Sequence, residues 1–189
     1  MAGKIQICNM ALGRLGANLI NALNEPNKEA RLCNLFYDDL RDELLRDHAW
    51  GFATVRSSLA RLSGIAPGPW EYQYQVPSDC LRVLFLVSSP GTKVNEFRVE
   101  GRKLYTNLDE ATIVYVRRET DATRFDQHFV RALAARLAAE LALPITDQKS
   151  LAEAMWALYE RELARAKGSD AAENQGIEPG EDSWLAARR

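Results

Sequence analysis

From Lys4 to Leu15 the apolar residues Ile5, Cys8, Leu12 and Leu15 recur at steps of three and four, and Gly16 follows as a natural left-handed stop. The pattern predicts a short amphipathic helix. After a turn around Asn24-Glu25-Pro26, a longer pattern sets Leu32, Phe36, Leu40 and Leu44 four apart, flanked by Cys33, Tyr37 and Leu45. The other face carries Arg31, Asp38, Asp39, Arg41, Asp42 and Arg46, so one side is expected to be buried and the other solvated. This helix should end near Asp47, where Trp50, Gly51 and Phe52 break the charged pattern.

Gly64-Ile65-Ala66-Pro67-Gly68-Pro69 can continue neither a helix nor a central strand, and beyond it the period changes. Trp70, Tyr72, Tyr74 and Val76 alternate with Glu71, Gln73 and Gln75, the pattern of a half-buried antiparallel strand. Leu81 to Val87 is a β-rich apolar run, Glu100-Gly101-Arg102 predicts a tight hairpin, and Ala111 to Val116 gives the last strand. One antiparallel sheet of about four or five strands is expected. Helix returns with Thr123 as cap and Asp126 three residues on, then Phe129, Leu133, Leu137 and Leu141 at steps of four, with Pro144 closing it. The intervening alanines would let a neighbouring helix approach closely. Asp147 opens a fourth helix carrying Leu151, Met155, Leu158, Tyr159 and Glu162, with Gly168 as its stop.

These elements predict an α+β fold: an antiparallel bundle of about four helices, an inserted antiparallel β-sheet and an extended C-terminal arm. The expected division is a helical body from residues 1–66 and 119–168, a sheet lobe from 67–118, and a flexible docking arm from 169–189. The segment from Ser169 to Ser183 has acidic residues, Gly and Pro but no Lys or Arg, which predicts disorder for the arm on its own. It nevertheless ends in Trp184-Leu185-Ala186-Ala187-Arg188-Arg189. Trp184 and Leu185 are candidate anchors on a partner, and Arg188 and Arg189 candidates for pairing with its acidic groups.

Length and composition narrow the function. A chain of 189 residues that is 47% hydrophobic and 26% charged has enough apolar surface for a core without disulfide or metal staples. A formal net charge of -2 argues against holding nucleic acid by phosphate neutralisation, which needs clustered cations. Cys8, Cys33 and Cys80 are widely spaced with no C-x-x-C pair, and read as small reduced core residues. No signal-peptide or membrane-spanning run is visible, so a cytoplasm-made protein without membrane contact is expected.

The spacings that mark enzymes are absent: no G-x-S-x-G elbow, Walker loop, H-E-x-x-H, dinucleotide fingerprint or EF-hand loop. No cofactor or metal and no catalytic residue is expected. His48 and His128 lie apart, each beside a helix end, and read as capping or solvent-contacting residues. Asp38, Asp39, Asp42 and Glu43 interleave with Lys28, Arg31, Arg41 and Arg46, which reads as a salt-bridged face. Ser78-Asp79-Cys80 reads as a turn after Pro77, with Asp79 bonding the backbone. Two other classes stay open: a small enzyme built from scattered residues such as His48, Asp79 and Tyr115, and a DNA-contacting packaging factor using Arg117, Arg118 and Arg124. The last three are also positioned to pair with Glu119 and Asp121.

Asn9-Met10-Ala11-Leu12 with Leu15-Gly16, then Glu25, Ala30, Cys33, Tyr37, Arg41, Leu44-Leu45, the phrase His48-Ala49-Trp50-Gly51-Phe52-Ala53, and Leu59 together form a pattern. It resembles the head-to-tail adaptors of tailed bacteriophages, nearest to the tail tubular protein A group. In that family the phrase runs His-Pro-Trp-Asn-Phe-Ala, and Leu-Pro-Ser-Asp-Cys-Leu-Arg-Val matches Val76-Pro77-Ser78-Asp79-Cys80-Leu81-Arg82-Val83. Ala49 and Gly51 depart from it while the aromatic pair Trp50 and Phe52 stays. The resemblance covers most of the chain. It implies a helical bundle with an inserted sheet. It further implies a homo-oligomeric, twelvefold ring at the head–tail interface of the virion, assembled in the host bacterial cytoplasm. The ring would sit between the portal protein and the tail nozzle or next tail protein, with the genome passing through its lumen. His48, Trp50, Phe52, Pro77 and Asp79 would then be structural residues.

Overall fold

The first helix, α1 (Lys4–Arg14), ends where Gly16 adopts φ +66°. The Gly16 amide donates to Gly13 O (3.3 Å) and the Ala17 amide to Leu12 O (3.1 Å), which satisfies carbonyls the helix would otherwise leave open. Cys8, Leu12 and Leu15 are buried as the spacing predicts, but Ile5 is exposed and Ile7 takes its place in the seam against later helices. In the structure, a computed structural model that describes residues 3–88 and 92–173, α2 (Lys28–Asp47) follows. The Asn27 side chain caps it by accepting from the Ala30 amide (2.7 Å). Its buried stripe runs Ala30, Cys33, Tyr37, Leu40, Leu44, with Leu32 and Phe36 only at the edge. The stripe thus keeps Leu40 and Leu44 and is turned at its start toward the expected flank of Cys33 and Tyr37.

A short 3-10 turn at Gly51–Ala53 leads directly into a strand, β1 (Thr54–Ser58), which the sequence pattern did not reveal. Thr54-Val55-Arg56-Ser57-Ser58 has one apolar residue and no alternation. It forms because it lies at the edge of a sheet whose next strand supplies the hydrogen-bond ladder. The remaining strands are β2 (Tyr72–Gln75), β3 (Cys80–Ser88), β4 (Thr92–Val94), β5 (Arg98–Glu100), β6 (Lys103–Thr106) and β7 (Thr112–Arg117). They make two antiparallel sheets rather than one: β1-β7-β3-β4 and β2-β6-β5. The hairpin expected around Glu100–Arg102 is present between β5 and β6. Gly101 (φ +51°) and Arg102 (φ +68°) both turn left-handed, as a two-residue hairpin loop matched to strand twist requires.

Gln73, expected to face outward, is buried; its Nε2 donates to Ser63 O (3.0 Å), and the Leu62 amide donates to Gln73 O (2.8 Å). The loop before β2 therefore folds back over that face. The central strand β7 is buried from Ile113 to Val116, and Thr54 pairs with Val116. The polypeptide thus enters and leaves the β region side by side. Tyr74, Val76, Leu86, Leu104, Ala111, Ile113 and Tyr115 form a core of their own, separate from the helical one.

After a 3-10 turn at Ala122–Arg124, α3 (Gln127–Thr146) begins with Asp126, not Thr123, as its cap. The Asp126 carboxylate accepts from the amides of His128 (2.7 Å) and Phe129 (3.3 Å). Pro144 does not close the helix but lies within its last turn, and Asp147 ends it in a left-handed conformation (φ +56°), its amide donating to Leu143 O (3.0 Å). Helix α3 is apolar nearly all round and accordingly occupies the centre of the bundle, packed by α1, α2 and α4 (Lys149–Glu173). Helix α4 runs through Gly168 rather than stopping there. Residues 169–173 are helical where the sequence predicted the start of an arm; residues 174–189, with Trp184, Leu185, Arg188 and Arg189, lie outside the described residues.

Candidate functional site

Three helix ends meet where the phrase around Trp50 leaves α2. The Trp50 side chain is fully buried, and its Nε1 donates to Leu44 O (2.8 Å), one of the carbonyls that the last turn of α2 leaves open. Its ring meets Phe129, on the first turn of α3, edge-on at 5.1 Å. Phe52 packs against Phe129 (5.0 Å) and Phe125 (5.8 Å), closing a four-ring cluster. His48 stacks edge-on over Trp50 (4.7 Å), and its Nε2 bonds Asp170 Oδ2 at 2.8 Å. The second carboxylate oxygen of Asp170 accepts from the Gly51 amide (2.8 Å). Asp170, read from sequence as part of an acidic tail, is therefore the clamp that holds α4 to this joint. Those two hydrogen bonds give α4 its reason to continue past Gly168, offsetting a helical glycine's cost of about 1 kcal/mol.

The second phrase lies at the start of β3. The Cys80 amide donates to Pro77 O (3.1 Å), making the expected turn, but among the described residues the Asp79 carboxylate does not bond the backbone. It accepts from the Tyr115 hydroxyl at 3.2 Å, while Asp79 O accepts from the Arg118 amide (2.7 Å). Burial, reinforced by the Asp79 charge, pushes the Tyr115 hydroxyl up to about 12, so at neutral pH it remains a donor. Burial and the same carboxylate push the Cys80 thiol up to about 11, which leaves it a poor nucleophile. Of the scattered enzyme set, the structure brings Asp79 and Tyr115 together and commits His48 to Asp170.

The basic residues read as a candidate nucleic-acid contact are each held by carboxylates. Arg117 and Arg124 both pair with buried Glu119, Arg124 also lies 3.6 Å from Asp121, and Arg118 pairs with Asp42 (2.6 Å). Asp42 in turn holds buried Arg41 (2.7 Å), which also pairs with Asp38 (2.7 Å), itself bonded to Lys4 (2.8 Å). The acidic face of α2 is thus a chain of ion pairs running from α1 to the end of β7. Among the described residues no group of three or more His, Cys, Asp or Glu is placed to hold a metal, and no helix is long and apolar enough to cross a membrane. Cys8 and Cys33 are fully buried and in contact with each other; Cys80, expected in the core, instead lines a surface cleft.

That cleft is the feature the sequence pattern missed altogether. It encloses about 410 Å³ between the end of α2, the start of β3 and the β5–β6 hairpin. Val76, Phe97 and Val99 contribute apolar wall, and Arg46, Arg82 and Arg102 contribute charge. These arginines are far apart in sequence and sit in unrelated patterns, so only the fold assembles them. Comparison with known proteins returned no matching family model and no matching curated protein.

Proposed function

We propose that this chain is a structural subunit of a phage virion, a head-to-tail adaptor whose copies form a ring between the portal and the next tail component. The observation that carries the reading is the destination of the two phrases on which the resemblance rests. His48, Trp50 and Phe52 lock the ends of three helices together, and Pro77 and Asp79 fix the start of β3 against β7. The first set fixes the helical body and the second fixes the β lobe, at the two points where the chain passes between them. A ring subunit has a reason to fix both, because any error in the angle between its parts is repeated around the symmetry axis and prevents closure.

The near-neutral, slightly negative charge suits a lumen that DNA must slide through without sticking. On this reading the chain carries out no catalytic turnover, resides at the head–tail interface of the virion and is assembled in the host bacterial cytoplasm. The packaging-factor alternative is weakened by the carboxylate partners of Arg117, Arg118 and Arg124. The enzyme alternative is weakened by the commitment of His48 to Asp170.

The test is imaging and mass measurement of the purified chain alone and mixed with its portal. Rings are expected beside the portal, with mainly monomer at micromolar concentration in its absence. Failure to associate with the portal would sink the adaptor reading, and a salt-resistant dodecamer in isolation would sink the dependence of the ring on its context.

A further inference from the structure

We propose that the cleft between α2, β3 and the β5–β6 hairpin is the docking site for the chain's own C-terminal segment, Glu178–Leu185, folded back within the same molecule. Among the described residues, Arg46, Arg82 and Arg102 form no ion pair, whereas Arg41, Arg117, Arg118 and Arg124 are held by carboxylates. Arg46 donates to Leu81 O and Arg102 to Pro77 O (2.8 Å), so main-chain carbonyls fix both guanidinium groups without neutralising them. The Arg82 Nε is buried and has no hydrogen-bond partner among the described residues. Three uncompensated cations, two of them fixed, around an apolar wall call for an occupant that is both acidic and apolar.

The chain carries such a segment. Glu178, Glu181 and Asp182 precede Trp184 and Leu185, and no Lys or Arg intervenes. Trp184 and Leu185 match the wall of Val76, Phe97 and Val99, and the carboxylates match the arginines. A cleft of 410 Å³ falls in the range, roughly 300–1,000 Å³, of pockets that enclose small organic groups. A polyphosphate such as DNA would satisfy the charges but leave the apolar wall uncovered.

Position favours the same molecule. Asp170 bonds His48 and Gly51, so the end of α4 lies at the end of α2, two residues from Arg46. Helix α4 therefore ends close to the last turn of α2, which supplies Arg46 to the cleft. Trp184 lies eleven positions beyond Glu173, an extended reach of about 35 Å. Docking within one molecule also avoids the translational and rotational entropy that joining two molecules costs. In the free chain the cleft and the segment would cap each other, and a partner would have to displace that contact before using either.

Photocrosslinking of the full chain carrying Trp184→p-benzoylphenylalanine tests this, with equal amounts of 15N-labelled and unlabelled protein mixed before irradiation. Adducts are expected between position 184 and peptides containing Val76, Phe97 or Val99, with both peptides carrying the same label and the product running as a single chain. Glu181→Gln with Asp182→Asn should lower their yield about three- to tenfold, since each lost pair between partly exposed charges weakens docking by a small factor. About 1 M sodium chloride should act in the same direction. Arg82→Gln with Arg102→Gln should match the loss; the arm-side substitutions leave the described fold untouched and decide the matter if that variant is unstable. Mixed-label adducts, adducts scattered over the surface, or a yield indifferent to Glu181 and Asp182 would each overturn the proposal. The measurement needs no portal and no ring, so its failure leaves the adaptor reading standing, and the converse holds.

Discussion

At the scale of single residues, Trp50 does the most. Its ring fills the space between α2 and α3 and its Nε1–H caps the Leu44 carbonyl. Trp50→Ala should destabilise the fold by about 3–5 kcal/mol, and Trp50→Phe by a smaller amount, about 1–3 kcal/mol, for a buried carbonyl left without its donor. Urea denaturation of the two variants beside the parent reads both. Glu119 is the residue whose titration should be felt. Burial acts to raise its pKa, but the Asp121 amide and the Arg117 and Arg124 guanidinium groups outweigh that and hold the carboxyl below its ordinary value. A lowered folded-state pKa means that the unfolded chain binds the proton first. The contribution of Glu119 is therefore complete above the unfolded value of about 4.3 and is lost as pH falls through the folded one. Glu119→Gln should remove part of the stability measured at neutral pH and flatten the acid limb below about pH 4.

At the scale of elements, two helix ends lie where propensity alone would not set them. Asp147 closes α3 in a left-handed conformation that a glycine adopts without strain. Asp147→Gly should stabilise the protein by about 0.5–1 kcal/mol, seen as a raised melting temperature, because the strain removed exceeds the entropy that glycine adds to the unfolded chain. The end of α4 depends instead on the His48–Asp170–Gly51 contacts. Asp170→Ala should leave α3 and the sheets unchanged and speed amide hydrogen exchange across residues 167–173. Unchanged protection there would show that α4 does not need the clamp. Strand β1 has the same lesson in another form: with one apolar residue in five it has little preference of its own, and β7 provides the ladder that makes it a strand.

At the scale of the whole molecule, paired entry and exit strands allow the β region its own core, while Val116, Leu81 and Leu84 pack into the helical core and Arg118 pairs with Asp42 of α2. If the chain works as a ring subunit, deleting Ser183–Arg189 should leave the far-ultraviolet circular dichroism of the helices and sheets unchanged but abolish stable joining to the portal. Normal joining by the truncated chain would remove the arm from the assembly. The three arginines of the cleft also belong to this scale, since residues 46, 82 and 102 converge only when α2, β3 and the hairpin are in place.

Much of this was written locally. The turn at Gly16, the length of α2, the Gly101-Arg102 hairpin and the apolar run of α3 each depend on a few neighbouring residues, whose φ preferences and periodicity survive in any tertiary setting. So does the α+β order of helices, strands and helices. What the tertiary structure decided is whatever depends on partners distant in sequence: the split into two sheets, the existence of β1, the burial of Gln73, and the continuation of α4 past Gly168. The same holds for the contacts of the candidate site. Nothing near His48 in sequence names Asp170 as its partner, and nothing near Asp79 names Tyr115. A carboxylate or a guanidinium is equally at home in water, so its role is fixed only when folding brings a distant group within about 3 Å, the range in which a hydrogen bond can form.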